Sequence, residues 1–319
     1  MTSIFDKLFG RKKKSVEAEV ETDEVSSEAV TIPSRPWPED VTKPLSPMPG
    51  MSLSDPGDKQ LKPPQLISGC AQSTGRQRDH NEDALFSLTT TMANNANNLA
   101  FGLYIVADGM GGHQHGEIAS ETATRAMSEH IIRNLYTPLF SVNPQPPDET
   151  LQEIMQTGVQ KAHNAIISNA SGGGTTLTAV LILGSQMIIA HVGDSRVYSI
   201  DINGGMKPLT RDHSLVKRLE ELGQITPEEA AIHPQRNVLY RALGQGEPFD
   251  PEMVTDSIPR PGFLLICSDG LWGVVQEEKI SEIITTSPTP QEACKEMVEA
   301  ANDAGGPDNI TAILVKLPS

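Results

Sequence analysis

The sequence predicts an α/β or α+β sandwich with largely antiparallel sheets, carried by residues 65–319 behind a disordered tail and proline-rich linker over 1–64. Three observations predict it. Short apolar runs of strand length recur, and two of them, Leu177–Leu183 and Gln186–Val192, are joined through Gly184-Ser185 at hairpin spacing. Two longer segments repeat apolar residues at helical spacing: Glu117–Leu135, and Glu149–Asn169 with Leu151, Met155, Val159, Ala162 and Ile166 on one face. The acidic and proline-rich stretch that precedes them can join neither pattern.

Thr31 to Pro64 holds nine prolines, each lacking a backbone donor and restricting the residue before it, so neither helix nor sheet propagates there. Upstream, Glu17, Glu19, Glu21, Asp23, Glu24 and Glu28 form an acidic run with no basic residue between Ser15 and Val30. Such a segment buries too little apolar surface to offset the entropy of ordering it. At the very start, Ile4, Phe5, Leu8 and Phe9 fall on one face of a short helix that Ser3 could cap, followed by Arg11, Lys12, Lys13 and Lys14. That pattern suits weak docking of residues 1–14 on an anionic membrane surface or a protein, and equally a frayed, solvated terminus.

Within the domain, Leu66–Ser73, Ala84–Thr89, Phe101–Ala107, Arg196–Ile200, Phe263–Cys267 and Ile310–Leu317 read as further strands. Helical segments are expected over Glu277–Thr285 and Gln291–Ala304, before the last strand. No internal repeat is present. The formal net charge is −16; the tail's 9 basic and 11 acidic residues account for −2, leaving −14 on residues 65–319. A surface of that sign argues against a nucleic-acid partner. No apolar run is long enough to span a bilayer, and no signal peptide is seen. Cys70, Cys267 and Cys294 are few and form no CxxC pair, which fits a reducing cytoplasm.

The chemistry is expected at strand ends. Asp108 follows Tyr104-Ile105-Val106-Ala107 and precedes Gly109-Met110-Gly111-Gly112-His113; Asp194 follows Ile188–Gly193; Asp269 follows Leu264–Ser268 and precedes Gly270; Asp308 precedes the last strand. Glu82-Asp83, with Arg78 upstream, adds a fifth acidic site. Each aspartate alone reads as a turn residue. Together they can converge at one end of a sheet, where clustered carboxylates repel unless cations neutralise them. With oxygen donors and no matching His or Cys spacing, Mg²⁺ or Mn²⁺ is favoured over zinc. Two such ions can activate water for attack at phosphorus.

Six segments occur in an order that resembles the type 2C (PPM) serine/threonine protein phosphatases, bacterial branch. They are Arg78–Asp83, Asp108–His113, Gly174-Thr175-Thr176, Val192–Arg196, Ser268-Asp269-Gly270 and Asp308–Thr311. The resemblance implies two packed sheets flanked by helices, in α-β-β-α layers. It implies that Asp108 is shared by two metals, that the Gly109 carbonyl completes one of them, and that Asp269 and Asp308 ligate the first. Asp194 and Asp269 match residues holding a third, weaker metal. Glu82 and Asp83 match residues that face the metals through waters, and Arg78 matches the arginine that grips the substrate phosphate.

The resemblance also implies hydrolysis of phosphoserine and phosphothreonine in proteins by a metal-activated water, opposing a Ser/Thr kinase. Four regions need separate reading. Arg196 reads as a phosphate ligand or as the buried partner of a carboxylate. Gly172–Thr176 is glycine-rich but lacks the Gly-Lys-Ser/Thr of a nucleotide loop, so it is no such loop, and the resemblance implies a structural role close to the site. Leu209–Gly244, with Arg211, Lys217, Arg218, Arg236 and Arg241, corresponds to a variable flap beside the active site, and reads as substrate contact or as solvated helix-loop-helix. Met110 stands where many eukaryotic relatives carry a proton-donating histidine; His113, three residues on, or a metal-bound water could donate instead. Two rivals are a catalytically inactive binding module of the same fold, which the intact acidic set opposes, and a two-metal phosphodiesterase. An aromatic content of 4% argues against the base stacking the latter would need.

Overall fold

The computed structural model describes residues 63, 65–93, 98–111, 114–170, 172–246, 249–259 and 261–318. His113 and the tail, including residues 1–14, lie outside them. One compact unit spans Gln60–Ser319. Among the described residues no helix is long and apolar enough to cross a membrane.

Among the described residues eleven strands form two sheets, and every pairing between them is antiparallel. The first runs β1 (Ile67–Ser73), β11 (Ile310–Lys316), β10 (Gly262–Cys267), β7 (Arg196–Asp201), β8 (Met206–Pro208). The second runs β2 (Asp83–Ala93), β3 (Asn98–Met110), β5 (Leu177–Leu183), β6 (Gln186–Val192), β9 (Glu252–Ser257), with β4 (Gly174–Thr175) added to the end of β3.

Strand alternation divides the core into layers. Along β3, Tyr104 and Val106 meet Leu264, Ile266, Ile313 and Val315 between the sheets. The intervening Leu103, Ile105 and Ala107 pack outward against α1 (Gln114–Ile131) and α3 (Leu151–Asn169). On the far side, Leu265, Cys267, Ala312 and Leu314 meet α7 (Glu277–Thr286) and α8 (Pro290–Asp303). The result is the α-β-β-α order. α1 continues through a wider turn over Ile132–Tyr136, where the Thr137 N–H reaches the Ile132 carbonyl, into α2 (Thr137–Leu139). Thr150 caps α3 in a reciprocal capping box with Glu153.

The short elements α2, β4, β8, β9 and α6 (Asp269–Trp272) were not legible in the sequence. β9 is short and half-exposed, and the described residues between β8 and β9 form the helices α4 (Leu215–Glu221) and α5 (Pro227–Ala231). α6 is a single turn.

Strand direction decides what happens at the ends. β3 and β6 are each antiparallel to β5, so both finish at the same edge of their sheet. β10 finishes where its antiparallel neighbour β11 begins, and β1 finishes there too. β2 begins where β3 ends, with Asp83 opposite Asp108. One end of the sandwich therefore gathers the strand-terminal residues from both sheets.

Candidate active site

A cleft of about 410 Å³ opens at that end, lined by Arg78, Asp79, His80, Glu82, Asp108, Gly109, Met110, Thr176, Asp194, Asp269 and Asp308, among others. Four separate strand ends thus deliver Asp108, Asp194, Asp269 and Asp308 to one wall. Burial, then the charges of Asp83, Asp269, Asp194 and Asp308, raise the Asp108 carboxyl well above the ordinary range. Asp194 is raised likewise by burial, then by Asp269 and Asp212, with Arg196 acting against them. Asp269 is pushed up to about 6 by burial and by Asp308.

These acids carry little local compensation. Asp269 Oδ1 is buried without a hydrogen-bond partner. Among the described residues, no three His, Cys, Asp or Glu side chains close round a single point. What they share is the cleft and a mutual repulsion, and an all-oxygen donor set of that kind fits hard divalent cations such as Mg²⁺ or Mn²⁺. The acids therefore fit the ions the sequence implies.

The Asp108 backbone is clamped. Its N–H donates to Thr176 Oγ1 at 2.9 Å, and its carbonyl accepts from the Thr176 N–H at 2.9 Å and from Thr175 Oγ1 at 2.8 Å. Thr176 Oγ1 also lies 3.0 Å from Ser195 Oγ, beside Asp194. The Gly-Thr-Thr segment is structural, as expected, and its role is to hold two acidic turns together.

Gly109 owes its place to close packing and not to a turn. It is no sharp turn: it pairs with Thr175 as part of the β3–β4 ladder, and the positive φ falls two residues later, at Gly111. Glycine is required at 109 because a Cβ there would sit 2.3 Å from the Gly116 carbonyl oxygen and 2.6 Å from that of Glu82. At Gly193 both reasons apply, since φ is +114° and a Cβ would meet Thr176 Cγ2 at 2.5 Å.

Arg78 lies on the cleft and donates to Asp308 Oδ2 at 2.7 Å. Its loop is fixed by Asn309, which sequence reasoning left without a role. Asn309 Nδ2 donates to the carbonyls of Thr74 and His80, at 3.0 and 2.8 Å, and its Oδ1 accepts the Glu82 N–H at 2.7 Å. The only signal was its place directly after Asp308.

Glu82 and Asp83 separate. Glu82 lines the cleft, and its carbonyl accepts from the Gly109 N–H and Ser120 Oγ. Asp83 is not on the cleft wall. Its Oδ2 accepts from Ser268 Oγ at 2.8 Å and Thr311 Oγ1 at 2.6 Å, behind Asp269, while Oδ1 is buried and unpartnered. Burial pushes this carboxyl up to about 7, against the pull of the two hydroxyls.

Arg196 is a correction to the phosphate-ligand reading. Its guanidinium donates to both oxygens of Asp212, at 2.9 and 2.7 Å, and to Tyr198 Oη at 2.8 Å, and it lies 3.5 Å from the centre of the Trp272 ring. It is not on the cleft and has no fork left for a phosphate. The flap arginines are also mostly occupied: Arg211 and Arg218 pair with Glu221, and Arg241 stands 4.0 Å from Asp250. What the flap gives the cleft is Asn237 and Leu239.

A family model described as Protein phosphatase 2C matches residues 68–310. The chain is 38% identical over 244 residues to the serine/threonine phosphatase stp of Listeria monocytogenes, covering 76% of this chain and 92% of that protein. It resembles the crystal structure of the Mycobacterium tuberculosis serine/threonine phosphatase PstP/Ppp with a TM-score of 0.66 and 31% identity, over 80% of this chain and 100% of the other. It also resembles the catalytic domain of serine threonine protein phosphatase PstP in complex with 2 manganese ions, with a TM-score of 0.64 and 29% identity over 80% and 100% of the two chains. With the fold, the acid-lined cleft and these likenesses in agreement, the chain belongs to the protein phosphatase 2C (PPM) family, bacterial branch, and is a protein-serine/threonine phosphatase.

Proposed function

We propose that residues 65–319 form a catalytic domain that removes phosphate from phosphoserine and phosphothreonine by direct attack of water, without a phosphoenzyme. The observation that carries this reading is the raised, partly unpartnered set Asp108, Asp194 and Asp269, with Asp308 beside it, in one cleft with Arg78. Asp108, the Gly109 carbonyl, Asp269 and Asp308 would hold two Mn²⁺ or Mg²⁺ ions, and Asp194 with Asp269 a third, weaker one. Such ions supply a water of lowered pKa as nucleophile and positive charge opposite the phosphoryl oxygens.

The chain's own residues do the rest. Arg78 grips the phosphate through a planar fork suited to two oxygens. Before substrate binds, Asp308 holds the guanidinium on the cleft wall. Glu82, also on the cleft lining, adds negative charge that would orient cation-bound water. Met110 lines the cleft and has no proton to give, so His113 is proposed to protonate the leaving alkoxide. Thr176 and Asn309 hold the acidic turns and the Arg78 loop in register.

The substrates are phosphorylated proteins, and the physiological setting we propose is opposition to a Ser/Thr kinase in the cytoplasm. The test is phosphate release from a phosphothreonine peptide by the full chain. Release with Mn²⁺ that stops on chelation with EDTA supports the reading. Release that continues unchanged in EDTA defeats it.

A further inference from the structure

The flap and the Asp194 turn meet at one buried histidine. His213 precedes the flap helix α4 and is almost fully buried, at 2% exposure. Its Nδ1 accepts the Gly193 N–H at 3.1 Å, and the His213 backbone N–H donates to the Gly193 carbonyl at 2.7 Å. The residue next to Asp194 is therefore clasped from both sides. The His213 carbonyl accepts from the Tyr240 N–H at 2.9 Å, Ser214 pairs with Leu239, and the Leu215 N–H reaches the Val238 carbonyl at 2.8 Å. So the two ends of the flap are joined at this point, and Leu239, which lines the cleft, is joined with them.

The residues around it serve the same attachment. His191 Nε2 donates to the Arg211 carbonyl at 3.0 Å, which leaves Nδ1 to accept from Thr178 Oγ1 at 2.9 Å. Asp212 holds Arg196, which lies against Trp272, and Trp272 Nε1 donates to the Asp194 carbonyl at 3.1 Å. His213 Nε2 stands 3.6 Å from Glu252 Oε2 on β9.

We infer that His213 is a positioning residue that sets the Asp194 carboxylate and the flap wall in register, through the acceptor bond from its Nδ1 to the Gly193 N–H. It touches neither substrate nor cation and acts through the Gly193–Asp194 turn. The inference rests on the reading of Asp194 as ligand of a weak cation.

Two substitutions separate this role from simple filling of the core. In His213→Asn the amide lies where Nδ1 lies and can still accept the Gly193 N–H. In His213→Gln it lies nearer the position of Nε2, toward Glu252. Mn²⁺ titration calorimetry on the full-length metal-free proteins, with thermal melting of each, gives a readout besides activity. Removal of a bond that orients a ligand typically weakens its metal by about 10–100-fold. We expect Gln to weaken the low-affinity Mn²⁺ step by about tenfold or more and Asn to stay within a few-fold of wild type, both melting lower by similar amounts. A Gln variant with the wild-type isotherm overturns the inference, as does equal loss of the weak step in both variants. Asp194→Ala runs alongside. If it removes the weak step while His213→Gln does not, the inference alone fails; if it leaves the isotherm unchanged, the ligand assignment fails and the inference with it.

Discussion

Arg78 is bound to Asp308 by a 2.7 Å hydrogen bond, so the guanidinium proposed to grip phosphate rests on an acid proposed to hold a cation. Both partners are partly open to solvent, with 47% and 25% of their side chains exposed. On the proposed reading, cation and guanidinium would compete for one carboxylate.

That competition has a measurable sign. Arg78→Ala should lower kcat/KM on a phosphothreonine peptide by about 10–100-fold, the loss expected for a charged hydrogen bond worth about 1.5–3 kcal/mol. Mn²⁺ affinity, measured by calorimetry, should be equal to or tighter than wild type, because Asp308 has lost a rival. Weaker Mn²⁺ binding would mean that Arg78 organises the acids and does not compete with the ion.

The general acid can be isolated by choice of leaving group. His113→Gln should slow a phosphothreonine peptide by about 10²–10⁴-fold but p-nitrophenyl phosphate much less, because a good leaving group needs little protonation. Steady-state rates on the two substrates in parallel decide it. Equal slowing would remove His113 as the proton donor.

Acid–base linkage predicts how stability responds to metal. Burial and neighbouring acids raise Asp108 and Asp194, and push Asp269 up to about 6 and Asp83 to about 7. A carboxyl raised in the folded state binds more protons folded than unfolded. Its stabilisation is full below the unfolded value and is lost as pH rises through the folded value. His191, pushed down to about 4 by burial and by His213, acts oppositely below its unfolded value of about 6.5. Four raised acids outweigh it, so the Tm of the EDTA-treated protein should rise from about pH 8 to about pH 6. Saturating Mn²⁺ should raise Tm most at the upper end and flatten the slope. A metal-induced shift that grows as pH falls would contradict the acid cluster as the binding site.

Much of this was legible in the sequence, for a specific physical reason. An apolar run that stops at Asp-Gly or Gly-Asp marks both a strand and the functional group at its end, which exposed Asp108, Asp194 and Asp269 before any fold was known. That the ends meet depends on strand direction. Only the pairing of β3 with β5, β5 with β6, and β10 with β11 brings them to one edge.

Contacts made across long chain separations were hidden. Asp212 lies 16 residues from Arg196 and takes its whole fork. Thr74 and His80 are fixed by Asn309 from more than 200 residues away. Gly109 shows the same limit: a glycine directly after an acid suggests a turn, whereas here it admits the backbone of α1 at Gly116. The flap drew attention through its arginines, yet its neutral Asn237 and Leu239 reach the cleft, because Glu221 and Asp250 already face the arginines.

The central claim is that clustered carboxylates around Asp108 hold the cations that make water a nucleophile, and Asp108→Asn tests it most directly. The substitution keeps shape and removes one negative charge from the buried centre of the cluster. Phosphate release from a phosphothreonine peptide is measured across a Mn²⁺ titration, with thermal melting in EDTA as the control for folding. The account predicts loss of Mn²⁺-stimulated release at every Mn²⁺ concentration. The metal-free variant should melt no lower than wild type, because an uncompensated buried charge is gone. Near wild-type release at saturating Mn²⁺ would contradict it.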